Sequence, residues 1–391
     1  MAPHADDSLD GSGYTPSAKS IAELKRKLHL HHAASLPGAA WITDCPQMND
    51  SQAANLESKT LQLSLDDLKE IEDAYAYFDA TGLPLNKLQA EHFPLPTLSR
   101  KLRQRSILLA DKEPFFIIRG LKPLWFSKWK NVVIYTGIAS HVGSKRAWAV
   151  GDPNVLHHVT NLQPPKEKGC EAYRGPANRN TALPFHTDYG SILSFYVLSK
   201  AQTGGDTYLA DIHDIVSEIS KDRPDIIETL RQPIININAK AEGAYDERPL
   251  LFTLSSGQLA VQASRSRLFG TQCRHRPSSL PPLSNAQVEA IDALHAAGQA
   301  VSQRIPSRSG DMIFFNNLRM MHARDAFVDG DAEENETSRY LLRLILHDER
   351  PDARWEIPPA LKPTWDELYA HADEDEVFAI HPELFSYKAA H

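Results

Sequence analysis

The stretch LPFHTDYGS, residues 183–191, sets a histidine and an aspartate two positions apart, His186 and Asp188. In an extended segment the side chains at i and i+2 share a face, so both can approach one ion where the backbone curves. The pair alone decides little. A chain with 17 histidines and 50 acidic residues contains such pairs by chance, and His371-Ala372-Asp373 is another. A third ligand has to come from elsewhere, and the best candidate is His322 in FFNNLRMMHARDAF, just beyond a buried strand. Two histidines and one carboxylate on one face of an octahedron leave positions open for non-heme Fe(II) oxygen chemistry. The ordinary alternative for His322 is a hydrogen-bonded core histidine.

A second feature tips that balance. In SRYLLRLILH, residues 338–347, Tyr340, Leu342, Leu344 and Leu346 share one face while Arg339, Leu341, Arg343 and Ile345 share the other. Both faces are largely apolar, so the strand is buried on both sides. A guanidinium there is costly unless it meets an anion, and its planar fork suits a carboxylate. Two arginines on one inward face imply bound carboxylates, supplied by ligands or by the protein's own acids. TGGDTYL, residues 203–209, is a glycine turn entering a strand, where Thr207 can offer its hydroxyl to the same carboxylate as Arg339. Two other classes stay open at this point. A zinc hydrolase could use two histidines, an aspartate and an activated water, but has no use for inward arginines beside Thr207. A binding protein on the same scaffold would have little reason to keep this whole set together.

These residues need a scaffold of strands. EPFFIIRGL reads as the first core strand, and NVVIYTGIASHVG follows as a mixed apolar segment. From residue 183 onward the runs are short and strand-like: SILSFYVLS, DTYLADI, PLLFTLS, QLAVQAS, DMIFFNN and SRYLLRLIL. Ser255-Ser256-Gly257 reads as a hairpin turn. Helices enter as insertions at DIHDIVSEISK, RPDIIETLRQ and SNAQVEAIDALHAAGQAVSQRI. Two more are expected upstream, one from Ser64 to Gly82 with a serine cap and acids in its first turn, and one in LPTLSRKLRQRSILLAD. SIAELKRKLHLHHAA reads as a short helix whose His29, His31 and His32 point in different directions and form a solvated surface. The expected class is mainly β with helical insertions, a double-sheet jelly roll. Residues 1–20 read as a poorly ordered tail. Residues 21–391 read as one jelly-roll domain with an N-terminal helical region and a C-terminal extension.

Composition excludes several classes. A formal charge of −8 argues against nucleic-acid or anionic-membrane partners and leaves a small molecule as the expected one. No apolar run approaches the ~20 residues that span a bilayer. MAPHADDSLDGSG lacks the marks of a secretory or transit signal, so the cytoplasm is the expected compartment. Cys45, Cys170 and Cys273, odd in number and outside any CxxC pattern, read as reduced thiols.

Taken in order and approximate spacing, FHTD, GGDT, NLRMMHARDAF and RYLLRL resemble the taurine dioxygenase and clavaminate synthase-like superfamily of Fe(II)/2-oxoglutarate oxygenases. FPLPTLSRKLRQRS and FFIIRGLKP resemble its fungal branch. The likeness covers roughly residues 64–360. It implies His186, Asp188 and His322 as ligands of Fe(II), with Arg339 and Thr207 holding the distal carboxylate of the co-substrate 2-oxoglutarate, and O2 as the second co-substrate. It further implies oxidation of a C–H bond by hydroxylation, cyclisation, C–N bond formation or desaturation. One departure is the length of the segment from His322 to Arg339, which carries the acidic VDGDAEENETS. Arg343 is then either the alternative co-substrate ligand or, preferably, a contact for an acidic group of the prime substrate, which is expected to be an amino acid or a peptide-derived intermediate of secondary metabolism. Tyr189 and Ile345 line the substrate pocket or belong to the core. Arg324 is read as support for the site, and His371-Ala372-Asp373 as a solvated helix end or loop.

Overall fold

Two sheets lie between helices, and the inner face that they share carries the motif residues. The structure, a computed structural model, describes residues 48–148, 153–161, 176–237, 244–271, 274–330 and 337–381. The expected tail, the helix holding His29, His31 and His32, and all three cysteines lie outside the described residues. The larger sheet has seven strands. They are β1 (Thr60–Gln62), β2 (Phe115–Arg119), β3 (Lys145–Arg146), β4 (His157–Thr160), β6 (Ile192–Ser199), β9 (Met312–Asn316) and β11 (Tyr340–His347). Their order is β1-β2-β9-β6-β11-β3, and β4 also pairs with β11. The smaller sheet is formed by β5 (Leu183–His186), β7 (Thr207–Asp211), β8 (Gln303–Ile305) and β10 (Met320–Arg324), in the order β8-β7-β10-β5.

Period-two alternation sorts the side chains into layers. On the large sheet Phe116, Tyr196, Phe314, Leu342 and Leu344 face a helical layer of α1 (Leu65–Thr81), α2 (Leu98–Asp111) and α3 (Lys128–Val142). Phe115, Phe195, Phe315, Leu341 and Ile345 face the other way, toward Leu209, Ile305 and Met320 of the small sheet. The outer face of the small sheet, with Phe185, Tyr208, Ala210 and Met321, packs on α4 (Ile212–Ser220), α5 (Pro224–Arg231) and α7 (Asn285–Val301). The expected burial of β11 on both faces is therefore met.

Local signals explain the helix ends. Ser64 caps α1, its hydroxyl accepting from the amide of Asp67 while Asp67 accepts from the Ser64 amide, and Gly82 closes the helix at φ +66°. Residues 128–142, which carry no helical stripe in sequence, form α3; Asn131 through Val142 are buried without a break. The hairpin at Ser255-Ser256-Gly257 forms as expected, with Leu251–Thr253 antiparallel to Leu259–Val261 and Gly257 at φ +81°. Among the described residues no helix is long and apolar enough to cross a membrane.

Candidate metal centre

His186 ends β5 and lies directly opposite His322 of β10 in the antiparallel register. Both point into the space between the sheets, as their phase requires: Phe185 and Met321, their neighbours, face the outer helices. Their rings stand 4.1 Å apart. Asp188 sits two residues on, in the turn leading to β6, with Oδ1 3.9 Å from His186 Nε2. One ligand atom from each of His186, Asp188 and His322 can be chosen so that all lie within 4.8 Å of one another. The donor chemistry fits a divalent ion. His186 Nδ1 donates to the Pro184 carbonyl at 2.8 Å, which fixes the tautomer and leaves Nε2 as a lone-pair donor. His322 is buried against Phe315 and Phe195, and its Nδ1 has no hydrogen-bond partner. Burial first, and then the neighbouring His186, hold His322 neutral, well below the usual histidine range. An unprotonated imidazole is the form that binds a metal.

The turn holding Asp188 is braced by four residues distant in the chain, Asn317, Ala263, Trp365 and His347. The Asp188 amide donates to Asn317 Oδ1 at 3.2 Å, and Asn317 Nδ2 donates back to the carbonyls of Asp188 and Gly190. Thr187 exchanges two hydrogen bonds with Ala263, at 2.8 and 3.0 Å. Ser191 accepts from Trp365 Nε1 at 2.8 Å and pairs with His347 Nδ1 at the same distance. Asn317 had no role in the sequence reading. The available signal was the Asn316-Asn317 pair closing an otherwise apolar strand, where a buried amide needs partners.

The two arginines differ. Arg343 donates through Nη1 to Asp188 Oδ2 at 2.8 Å, while its Nη2 meets His157 Nδ1 at 3.2 Å. Its charge is thus met by an acid of the protein, and a substrate's acidic group reaches it only in competition with Asp188. His157, paired in register with Arg343, is a second residue that the sequence reading passed over. Among the described residues Arg339 has no such acid at hydrogen-bond distance from its guanidinium. Its Nε donates to the Gly205 carbonyl at 3.2 Å, and its Nη1 is buried without a partner. Burial brings its pKa down to about 10 against the pull of Asp325, Asp329 and Asp206, so it stays charged at neutral pH. Gly205 is needed here: at φ +79°, a Cβ would sit 2.9 Å from Arg339 Cδ. Thr207, two residues on, is on the inner face of β7 and pairs in register with Arg324. The long segment before Arg339 closes at its base, where Gly330 donates to Thr337 and the Arg339 amide donates to Asp329. Residues 331–336 of that segment lie outside the described residues.

Tyr189 and Ile345 border the same turn; Ile345 packs against Gly190, where any Cβ would collide with it. Arg324 is fully buried and donates to the carbonyls of Ala177, Arg179 and Thr181. His371-Ala372-Asp373 lies in the turn after a helix end, as expected, with Ala372 exposed and Asp373 part-exposed, but the His371 side chain is covered. His371 stacks on Trp148 at 4.5 Å and pairs with Glu376, itself bound by Arg146, so tertiary packing covers it despite the acidic local sequence.

The two stacked sheets with a histidine-aspartate-histidine cluster between them define a non-heme Fe(II)/2-oxoglutarate-dependent oxygenase. The family model for taurine catabolism dioxygenase TauD, TfdA family, matches residues 79–345, and the chain belongs to that family. The taurine hydroxylase-like protein SAT17 of Stachybotrys chartarum is 34% identical over 385 residues, 96% of this chain and 95% of that protein. FR-33289 synthase of Streptomyces rubellomurinus is 23% identical over 309 residues, 75% of this chain and 89% of its own length. Among solved structures, asparagine oxygenase with Fe(II), hydroxyasparagine and succinate superposes at TM-score 0.56 and 16% identity, covering 75% of this chain and 98% of that one. The non-heme iron oxygenase OrfP with Fe and α-ketoglutaric acid superposes at 0.53 and 17%, covering 74% and 94%.

Proposed function

We propose that this protein couples decarboxylation of 2-oxoglutarate to oxidation of a C–H bond in a small carboxylate-bearing molecule, an amino acid or a peptide-derived intermediate of fungal secondary metabolism, on a jelly-roll scaffold. The observation that carries the reading is the three-ligand cluster together with Arg339, a buried cation whose Nη1 lacks a partner among the described residues. In this reading His186, Asp188 and His322 hold the metal, and Arg339 with Thr207 holds the distal carboxylate of the co-substrate. When bound, the metal and 2-oxoglutarate supply an oxidant able to attack an unactivated C–H bond. The chain's own part is placement: Asn317 and Arg343 fix Asp188, Pro184 fixes His186, and Tyr189 and Ile345 bound the substrate space. Such placement decides which atom is oxidised and whether the outcome is an alcohol, an alkene or a ring. The choice of an amino acid rests on the asparagine and arginine chemistry named for the similar folds, and the fungal setting on the Stachybotrys relative.

Metal content and succinate release test this. His186→Ala, Asp188→Ala and His322→Ala should each lose Fe(II) or Co(II) binding and 2-oxoglutarate turnover while remaining folded by circular dichroism. Near-normal metal content in His322→Ala would remove it from the ligand set.

A further inference from the structure

Helix α6 (Arg265–Phe269) carries two buried arginines that are treated differently by their surroundings. Arg265 donates to Asp292 Oδ1 at 2.8 Å, with both side chains buried. Arg267 is only 8% exposed, yet among the described residues no carboxylate lies within ion-pair distance of it. Its guanidinium instead lies over the ring of Tyr189, 4.0 Å from the centroid. Among the described residues no side-chain hydrogen bond joins its guanidinium to the protein.

The location matters more than the burial. Tyr189 directly follows the ligand Asp188, and the segment leading into α6 is fastened to the same turn by the Thr187–Ala263 pair. Arg267 is therefore tied to the ligand-bearing turn by its own stack on Tyr189, and its segment is tied to that turn by the Thr187–Ala263 pair. A stacked guanidinium keeps its N–H edge free for an acceptor, because the ring occupies its face. Burying such a charge without an anion is unfavourable, and a carboxylate arriving at that edge would satisfy it. Arg343, the cation that the sequence offered for this role, already has Asp188.

We infer that Arg267, oriented by Tyr189, is the receptor for the acidic group of the prime substrate, and so sets specificity for a carboxylate over its neutral analogue. This rests on the reading of the centre as a 2-oxoglutarate oxygenase acting on a small acid. Recognition then comes from the smaller-sheet side of the centre, and Arg343 serves the metal ligand.

The test uses the full chain with Fe(II), 2-oxoglutarate and a panel of L-amino acids and N-acetyl-L-amino acids, each paired with its primary amide, and follows succinate release. Wild type should favour the best acid over its amide by ~30-fold or more in kcat/KM, the scale of losing one buried charged partner. Arg267→Leu should bring that preference to within a few fold, through a higher KM for the acid at similar kcat, and Arg267→Lys should restore part of it. Co(II) titration of Arg267→Leu should stay within about twofold of wild type, separating loss of recognition from loss of fold. A preference unchanged in Arg267→Leu, or a wild type that favours no acid over its amide, overturns the inference and leaves the oxygenase reading standing. A wild type that binds Co(II) but releases no succinate with any probe overturns the small-acid reading and the inference with it.

Discussion

Replacing Arg339 by alanine should separate co-substrate binding from stability. Among the described residues the guanidinium makes one hydrogen bond, to the Gly205 carbonyl, and leaves Nη1 buried and unpartnered. Its charge is balanced only at longer range by Asp325, Asp329 and Asp206, and burial depresses its pKa to about 10. Removing an undersatisfied cation costs the fold only its one charged-donor hydrogen bond, about 1.5–3 kcal/mol, offset by relief of a buried charge that lacks a full set of partners. The co-substrate, by contrast, would lose a buried charged partner, typically about 2–5 kcal/mol. That corresponds to a ~30-fold to ~5,000-fold rise in the 2-oxoglutarate requirement. Arg339→Lys, which keeps the charge without the planar fork, should fall between. Succinate release as a function of 2-oxoglutarate concentration measures the effect, and urea denaturation measures the stability. A folded Arg339→Ala with a 2-oxoglutarate KM within threefold of wild type would refute the assignment. Arg324 would not then be the natural replacement, because its guanidinium is already engaged by three backbone carbonyls.

His371→Ala should leave Co(II) binding intact but lower stability by about 1–3 kcal/mol, since it removes a covered ring stacked on Trp148; urea denaturation checks this, and an unchanged midpoint would return His371 to the solvent. Asp211 gives a pH dependence. Burial works against its ionisation, but hydrogen bonds from His213 and Arg319 outweigh it and hold its pKa at about 2, below the ordinary 3.8. A depressed carboxyl contributes stability that is complete above pH ~4 and is lost as pH falls toward 2, here about 2 kcal/mol. Asp211→Asn should therefore flatten the acid limb of stability between pH 4 and 2, as followed by denaturation at several pH values.

Much of the metal centre was legible because its chemistry is local. HxD, the inward arginines and the GGDT turn are short patterns whose residue types already restrict what they can do. What escaped was set by long-range geometry. α3 carries no helical signature in the sequence because it is buried on every side, so no polar stripe marks a 3.6-residue period and its β-branched residues imitate a strand. The sequence showed that Arg343 needs an anion but not which one; Asp188 meets it across 155 residues. Asn317 and His157 act only once strands far apart in the chain are brought side by side. His371 misled for the converse reason: its acidic neighbours suggest solvent, while Trp148 and the Arg146–Glu376 pair cover it.

The Arg343–Asp188 pair itself bears on why the centre is built this way. Their side chains are 5% and 10% exposed, and a pair so buried roughly breaks even between desolvation and attraction, so stability alone is a weak reason for it. Orientation is a stronger one. With Oδ2 taken by Arg343, the carboxylate can offer the cluster only Oδ1, the oxygen that faces His186. His157 holds the other end of the same guanidinium, so the fork cannot swing toward the cavity without breaking a second contact. Asn317 fixes the backbone on both sides of the same residue. Side chain and main chain of Asp188 are thus constrained separately, so that Oδ1 is the oxygen it would present to a bound metal. A cation committed in this way is poorly placed to recognise a substrate as well. The fold resolves that conflict by supplying Arg267, stacked on the next residue of the turn, as a second cation with no acid at ion-pair distance among the described residues.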